Sequence, residues 1–94
     1  MLISNNSQSV GFKGAIKFTP EASSSFQRLF DMYYAPKATL AFDMFDKQGN
    51  HLGRKYKFNN QVIEQQAREF CDRNKQPYIP FEKHDMTLDE FMKF

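Results

Sequence analysis

The sequence predicts an α+β fold: a two-layer sandwich, with a three-stranded antiparallel sheet and helices packed on one face, in the order β-α-β-β-α-α. Three observations lead there. A run with apolar residues at every second position comes first. Two more such runs are joined by a tight-turn sequence, and segments with helical apolar spacing fall between and after them. Ninety-four residues fit one domain with a modest core, and 11 Phe and 4 Tyr supply its bulk although only 40% of the chain is hydrophobic. Residues 1–9 are polar and rich in Asn and Ser, which suits a flexible leader. Residues 10–94 then form a single α+β domain.

In the first strand Phe12, Gly14, Ile16 and Phe18 alternate with Lys13, Ala15 and Lys17. Gly14 lies on the apolar face, where a missing side chain marks close approach by another element. Thr19-Pro20-Glu21 then reads as a helix start, with a hydroxyl cap, proline in the first turn and an early acid. Ala22, Phe26, Leu29, Phe30 and Tyr33 form the stripe of that helix, and Pro36 stops it near Tyr34.

Asp46-Lys47-Gln48-Gly49-Asn50 reads as a hairpin loop closed by a glycine in the left-handed region. Pairing Asp46 with Asn50 sets an expected register of Phe45 with His51, Met44 with Leu52, Phe42 with Arg54 and Leu40 with Tyr56. One face then carries Leu40, Phe42, Met44, Leu52, Tyr56 and Phe58. The other carries Thr39, Ala41, Asp43, Phe45, His51, Lys55 and Lys57. Arg54 falls among the core-facing positions, so its head is expected in water at the sheet's rim.

Asn59 or Asn60 caps the next helix, whose buried stripe is Ile63, Ala67, Phe70 and Cys71, with Glu64, Arg68, Glu69 and Asp72 facing out. Asn74 and Pro77 end it. Residues 77–81 read as an extended apolar segment, and Thr87-Leu88-Asp89-Glu90 as a capping box that opens a last short helix.

Motifs that would carry chemistry fail on their own requirements. His51, Cys71 and His84 lie too far apart for a sequence-readable zinc site, and no cofactor is implied. The segment from Asp46 to Lys57 has the wrong residues at the glycine and terminal glutamate positions of a calcium loop. Gly11-Phe12-Lys13-Gly14 matches a GxxG loop but has no helix before it, and Ala15 and Ile16 stand where a base-stacking sheet needs aromatics. Pro77 and Pro80 lack the flanking basic residue of an SH3 ligand. Cys71, with His51 or His84 as base, falls on an apolar stripe and reads as a core residue, and nothing marks Asp43 and Asp46 as an acid/base pair. One cysteine allows no internal disulfide, the first ten residues lack the character of a secretory signal, and no apolar run is long enough to span a membrane. The expected setting is cytoplasmic.

Net charge is only +2, with a basic middle and an acidic tail. If the helices cover one sheet face, the other presents Lys13, Lys17, Lys55, Lys57 and His51, with Phe45 among them. These residues are the expected partner-binding surface. The function expected is non-catalytic: a small protein-interaction, inhibitor or regulatory domain with a protein partner, acidic by charge, of the kind bacteria or phages carry as accessory proteins. The alternative is nucleic-acid binding through Lys13, Lys17, Lys55 and Lys57. The aromatic surplus near the C-terminus (Tyr78, Ile79, Phe81, Leu88, Phe91, Met92, Phe94) predicts a homodimer contact.

Overall fold

A computed structural model describes residues 13–94, so the expected leader and Phe12 lie outside the described residues. The chain is a small α+β fold whose sheet, among the described residues, has four antiparallel strands: β1 (Gly14–Lys17), β2 (Leu40–Phe45), β3 (His51–Phe58) and β4 (Ile79–Pro80). Their order across the sheet is β2-β3-β1-β4. The expected three strands become four because the extended segment at Ile79–Pro80 pairs with Lys17 and Ile16 of β1. A proline fits there because β4 lies at the sheet's edge and owes one fewer ladder bond.

Helix α1 (Ser24–Tyr34) starts later than its sequence suggests. Thr19 to Ala22 forms a turn closed by Ala22 N–H donating to Thr19 O, and Ser23 becomes the cap that accepts from Phe26 N–H. The helix ends at Tyr34 and tightens into a 3₁₀ turn, Ala35–Lys37, around Pro36. Helix α2 (Gln61–Arg73) is capped by Asn60, whose side chain accepts from Val62 and Ile63 N–H. Helix α3 (Leu88–Lys93) opens on the expected capping box of Thr87 and Glu90.

Helices α1 and α2 bury an aromatic cluster against one sheet face. Phe18 meets Phe30 and Tyr56 edge-on at 4.9 and 6.2 Å between ring centres, and Phe70 of α2 stacks on Phe26 at 5.3 Å. Each such pair adds roughly 0.5–1.5 kcal/mol beyond the area it buries. Tyr34 packs against this core, while Leu29 and Tyr33, expected within the stripe, remain exposed.

The placement of α3 corrects the expected two layers. It packs on the opposite sheet face, where Ala15, Met86 and Phe91 are fully buried with Leu40, Phe81 and Phe94 beside them. The sheet is therefore covered on both sides.

The hairpin register also differs. Phe45 pairs with His51 as expected, and Asp46 with Asn50 closes the loop with Gly49 at φ +86°. Next, Met44 pairs with Gly53 instead of Leu52, so Leu52 is an extra residue on β3, a β-bulge. From there Asp43 pairs with Arg54, Phe42 with Lys55, Ala41 with Tyr56 and Leu40 with Lys57. The slip exchanges the faces of β2, because side chains alternate with a period of two. Gly53 makes the bulge possible: its φ is +132°, and a Cβ there would come within 1.8 Å of Phe18 O.

Candidate functional site

The bulge sends Leu40 and Phe42 to the α3 side, where Phe42 meets Phe91 at 5.8 Å between ring centres. It sends Asp43 and Phe45 to the α1 side, beside His51 and Arg54. The expected surface of Lys13, Lys17, Phe45, His51, Lys55 and Lys57 is thereby divided between two faces. It is not one open surface.

The lysines lie under or beside α3. Lys57 is fully buried and Lys55 nearly so. Lys55 Nζ donates to Phe91 O at 2.8 Å and Met92 O at 3.3 Å, and Lys17 Nζ donates to Phe94 O at 2.9 Å. Lys13 pairs with Asp85 at 3.2 Å. Burial pushes the Lys57 ammonium down to about 8. Burial, and then the neighbouring Lys17 charge, lowers Lys55 as well. Lys13, Lys17, Lys55 and Lys57 therefore do not form one open row.

Four of the seven residues expected at a homodimer contact are engaged within the chain. Phe91 is buried, Phe81 and Phe94 pack beside it, and Tyr78 packs on the α1–α2 core, which leaves Ile79, Leu88 and Met92 exposed. Cys71 is buried in that same core, and burial pushes its thiol up to about 12. A thiolate nucleophile is then essentially unpopulated near neutral pH.

His51 belongs to a different place, a groove between α1 and the β2–β3 hairpin, and Phe45 packs on the His51 ring beside it. The groove's volume is about 730 Å³, and its lining includes Gln27, Arg28, Met32, His51, Gly53 and Arg54. A single chain of polar contacts crosses it. His51 Nε2 lies 3.1 Å from Asp43 Oδ1, and Arg54 donates to Asp43 Oδ2 and to Asp31 Oδ1, each at 2.9 Å. Tyr56 hydroxyl donates to the same Asp31 oxygen at 2.8 Å. Burial works against ionised Asp43, but the bonds from His51 and Arg54 outweigh it and hold the carboxyl below its usual range. Burial first, and then the bond to Asp31, pushes the Tyr56 hydroxyl well above its ordinary value, so it remains a donor.

Arg54 thus bridges two carboxylates, where the sequence reading put its head in water. The reason is positional. The bulge brings Asp43 opposite Arg54, and α1 delivers Asp31 from above. Phe45 rests against the His51 ring at 5.3 Å and is 60% exposed, and Met32 on the α1 side is 68% exposed. Asp31 and Met32 carry no signal of their own in the sequence; they follow Phe30, a core position, and reach the groove through helix geometry.

A second buried polar cluster was also missed. Glu64, expected to face water, is fully buried under β1, with His84 Nδ1 2.9 Å from Oε1 and Arg68 bonded to Oε2. A Cβ on Gly14 would fall within 2.4 Å of this carboxylate, so the close approach expected at Gly14 is made by Glu64. Arg68 also donates to Phe81 O at 3.0 Å.

Among the described residues no group of three or more side chains is placed to hold a metal ion, and no helix is long and apolar enough to cross a membrane. No protein-family model matches the chain, and no curated protein or solved structure was found similar to it.

Proposed function

We propose that the chain is a non-catalytic protein-interaction domain, of inhibitor or regulatory type, that receives a partner segment in the groove between α1 and the hairpin tip. The observation that carries this reading is the groove's division of labour. Its polar lining, His51, Asp43, Arg54 and Asp31, is fixed in one chain of contacts that ends on the buried Tyr56 hydroxyl, while Met32 stands exposed in the lining and Phe45 stands exposed beside His51. A pre-ordered polar lining loses little entropy when a partner docks, and exposed large apolar side chains are typical anchors. The lining's own charges pair with one another, so the partner gains affinity mainly from Met32 and Phe45.

Site-specific photo-crosslinking in the native host tests this. A photoreactive residue at Phe45 or Met32 is expected to capture the same partner protein, while one at the exposed Val62 of α2 captures none. The double variant Met32→Lys and Phe45→Lys is expected to keep its melting temperature and lose the partner. Equal capture from Val62, or no adduct from Met32 or Phe45, defeats the reading.

A further inference from the structure

The two edges of the sheet are built differently. At one edge β4 has two residues, and one of them, Pro80, offers no main-chain N–H. Short length and proline both keep an edge from pairing with another chain. At the other edge β2 has six residues, with no proline, lysine or arginine among them. Its single charge, Asp43, is already held by Arg54 and His51. Among the described residues, no hydrogen bond from outside the β2–β3 ladder reaches the main chain of Leu40 to Phe45.

Pairing on β3 decides which groups of β2 face that open side. Phe18 and Arg54 exchange both main-chain bonds, at 2.8 and 3.2 Å, so Arg54, Tyr56 and Phe58 turn their N–H and C=O toward β1. Gly53, Lys55 and Lys57 turn theirs toward β2, where they meet Met44, Phe42 and Leu40. Ala41 and Asp43 therefore point N–H and C=O outward.

The side chains of this edge fit a second copy of themselves. In an antiparallel pair centred on Phe42, that residue faces Phe42 of the partner subunit. Leu40 then faces Met44 of the partner subunit, and Ala41 faces Asp43 of the partner subunit. Ala41 and Asp43 hold the outward main-chain groups, so this register joins them in hydrogen-bonded pairs. No like charges meet. Centring on Asp43 would set two carboxylates opposite each other, which a sheet disfavours. Centring on Ala41 would carry Met44 past the end of the partner's strand. Phe42 is 37% exposed although it touches Phe91, and its counterpart supplies the cover its own chain leaves off.

We propose that β2 is the contact of a twofold homodimer, in which two copies of the sheet join edge to edge through it. The interface uses none of the C-terminal residues expected at a dimer contact. Two short strands make a small interface, so dissociation in the micromolar range is expected. Pairing through Ala41 and Asp43 main-chain groups leaves the Asp43 side chain on Arg54 and His51. The dimer therefore does not depend on the groove being filled, and a failure of either proposal leaves the other standing.

Sedimentation equilibrium of the full chain, from low to high micromolar concentration, tests this. The wild type is expected to pass from monomer to dimer. Ala41→Pro removes an outward N–H and spares the β2–β3 ladder, since proline is tolerated where the N–H faces away from it. That variant is expected to dimerise at least tenfold more weakly with its melting temperature nearly kept. Should it fail to fold, cysteines read the register instead. Phe42→Cys is expected to form a disulfide-linked dimer on mild oxidation, because that residue faces itself. Met44→Cys, opposite Leu40, is expected to stay unlinked. The proposal is overturned if the wild type is monomeric at high micromolar concentration, if folded Ala41→Pro dimerises like the wild type, or if Met44→Cys links as readily as Phe42→Cys. A monomeric chain whose Ala41→Pro variant loses the partner captured at Met32 assigns the edge to that partner's extended segment and likewise overturns the dimer.

Discussion

The two faces of this sheet are covered in different ways from the same strand. On β3, Tyr56 and Phe58 point into a core built by two helices of 11 and 13 residues, where rings meet rings. Lys55 and Lys57 point the other way and are covered by a helix of six. The first face is closed by apolar area, which is non-directional and needs no particular partner. The second is closed by a smaller apolar cluster, Met86 and Phe91 with Phe81 and Phe94 beside them, and by ammonium-to-carbonyl bonds, which are directional and exchangeable with water or a competing acceptor. The difference teaches that burial alone does not measure how firmly a surface is shut.

The sharpest way to break this comparison is to remove one anchor from each face. Phe30→Ala is expected to lower global stability by about 3–5 kcal/mol, since it opens a cavity among rings that cannot collapse around it. Phe91→Ala is expected to cost about half as much or less, because residues 87–94 can lift and leave the main core closed. Urea unfolding gives both values, and hydrogen exchange should show the Phe91 variant losing protection only in residues 81–94. Equal losses with global exchange would mean the two faces form one cooperative unit.

A smaller effect is expected at Glu64, buried against Gly14 of β1 and bonded to His84. Glu64→Ala leaves Arg68 and His84 without their shared acceptor and should cost about 2 kcal/mol, less than a deeply buried pair because both partners can reach water. Glu64→Gln keeps an acceptor and the packing against Gly14, and should recover most of that loss in a thermal melt. If alanine and glutamine cost the same, the loss belongs to the carboxylate's charge and not to packing or a neutral acceptor.

The smallest effect is a pH dependence peculiar to the lysine face. Burial holds Lys57 at about 8 in the folded chain, below its usual 10.5. Between about pH 8 and 10.5 the unfolded chain therefore binds more protons than the folded one, and stability rises with pH. Cys71 acts in the opposite sense. Its thiol moves from 9.0 up to about 12 on folding, so above about pH 9 the unfolded chain loses that proton first and stability falls. The urea midpoint is expected to climb from pH 8 to pH 9 and to level off beyond. Lys57→Met should flatten the climb, and an unchanged pH profile in that variant would show that the lysine keeps its ordinary proton affinity.

Much of the local structure was legible. The hairpin loop around Gly49, the Asn60 cap, the Thr87–Glu90 box and the end of α1 before Pro36 all rest on residues whose backbone preferences or short side chains act within a few positions. The candidate groove was half legible. An unbroken alternation marks Phe45 and His51 as surface residues but groups them with lysines that lie on the other side of the sheet. The cause is one residue. Leu52 bulges out of the ladder, and everything on β2 beyond it changes face. A signal for this was present in Gly53, since a glycine inside a strand often marks a bulge, yet the alternation of charge along β3 favoured an unbroken register.

By itself the sequence determined the three main strands, the three helices and the core residues Phe18, Phe26, Phe30, Tyr56 and Phe58, because periodicity and capping are written in neighbouring residues. Tertiary structure alone decided which side of the sheet α3 would cover, that Lys55 and Lys57 would be buried beneath it, and that Glu64 would be buried against Gly14. Those outcomes depend on charged groups, and a charge has two acceptable environments: water, or a set of oppositely polarised atoms brought from elsewhere in the chain. Local sequence cannot distinguish the two, since the partners arrive from positions 20 to 77 residues away: His84 for Glu64, and the Phe94 carbonyl for Lys17.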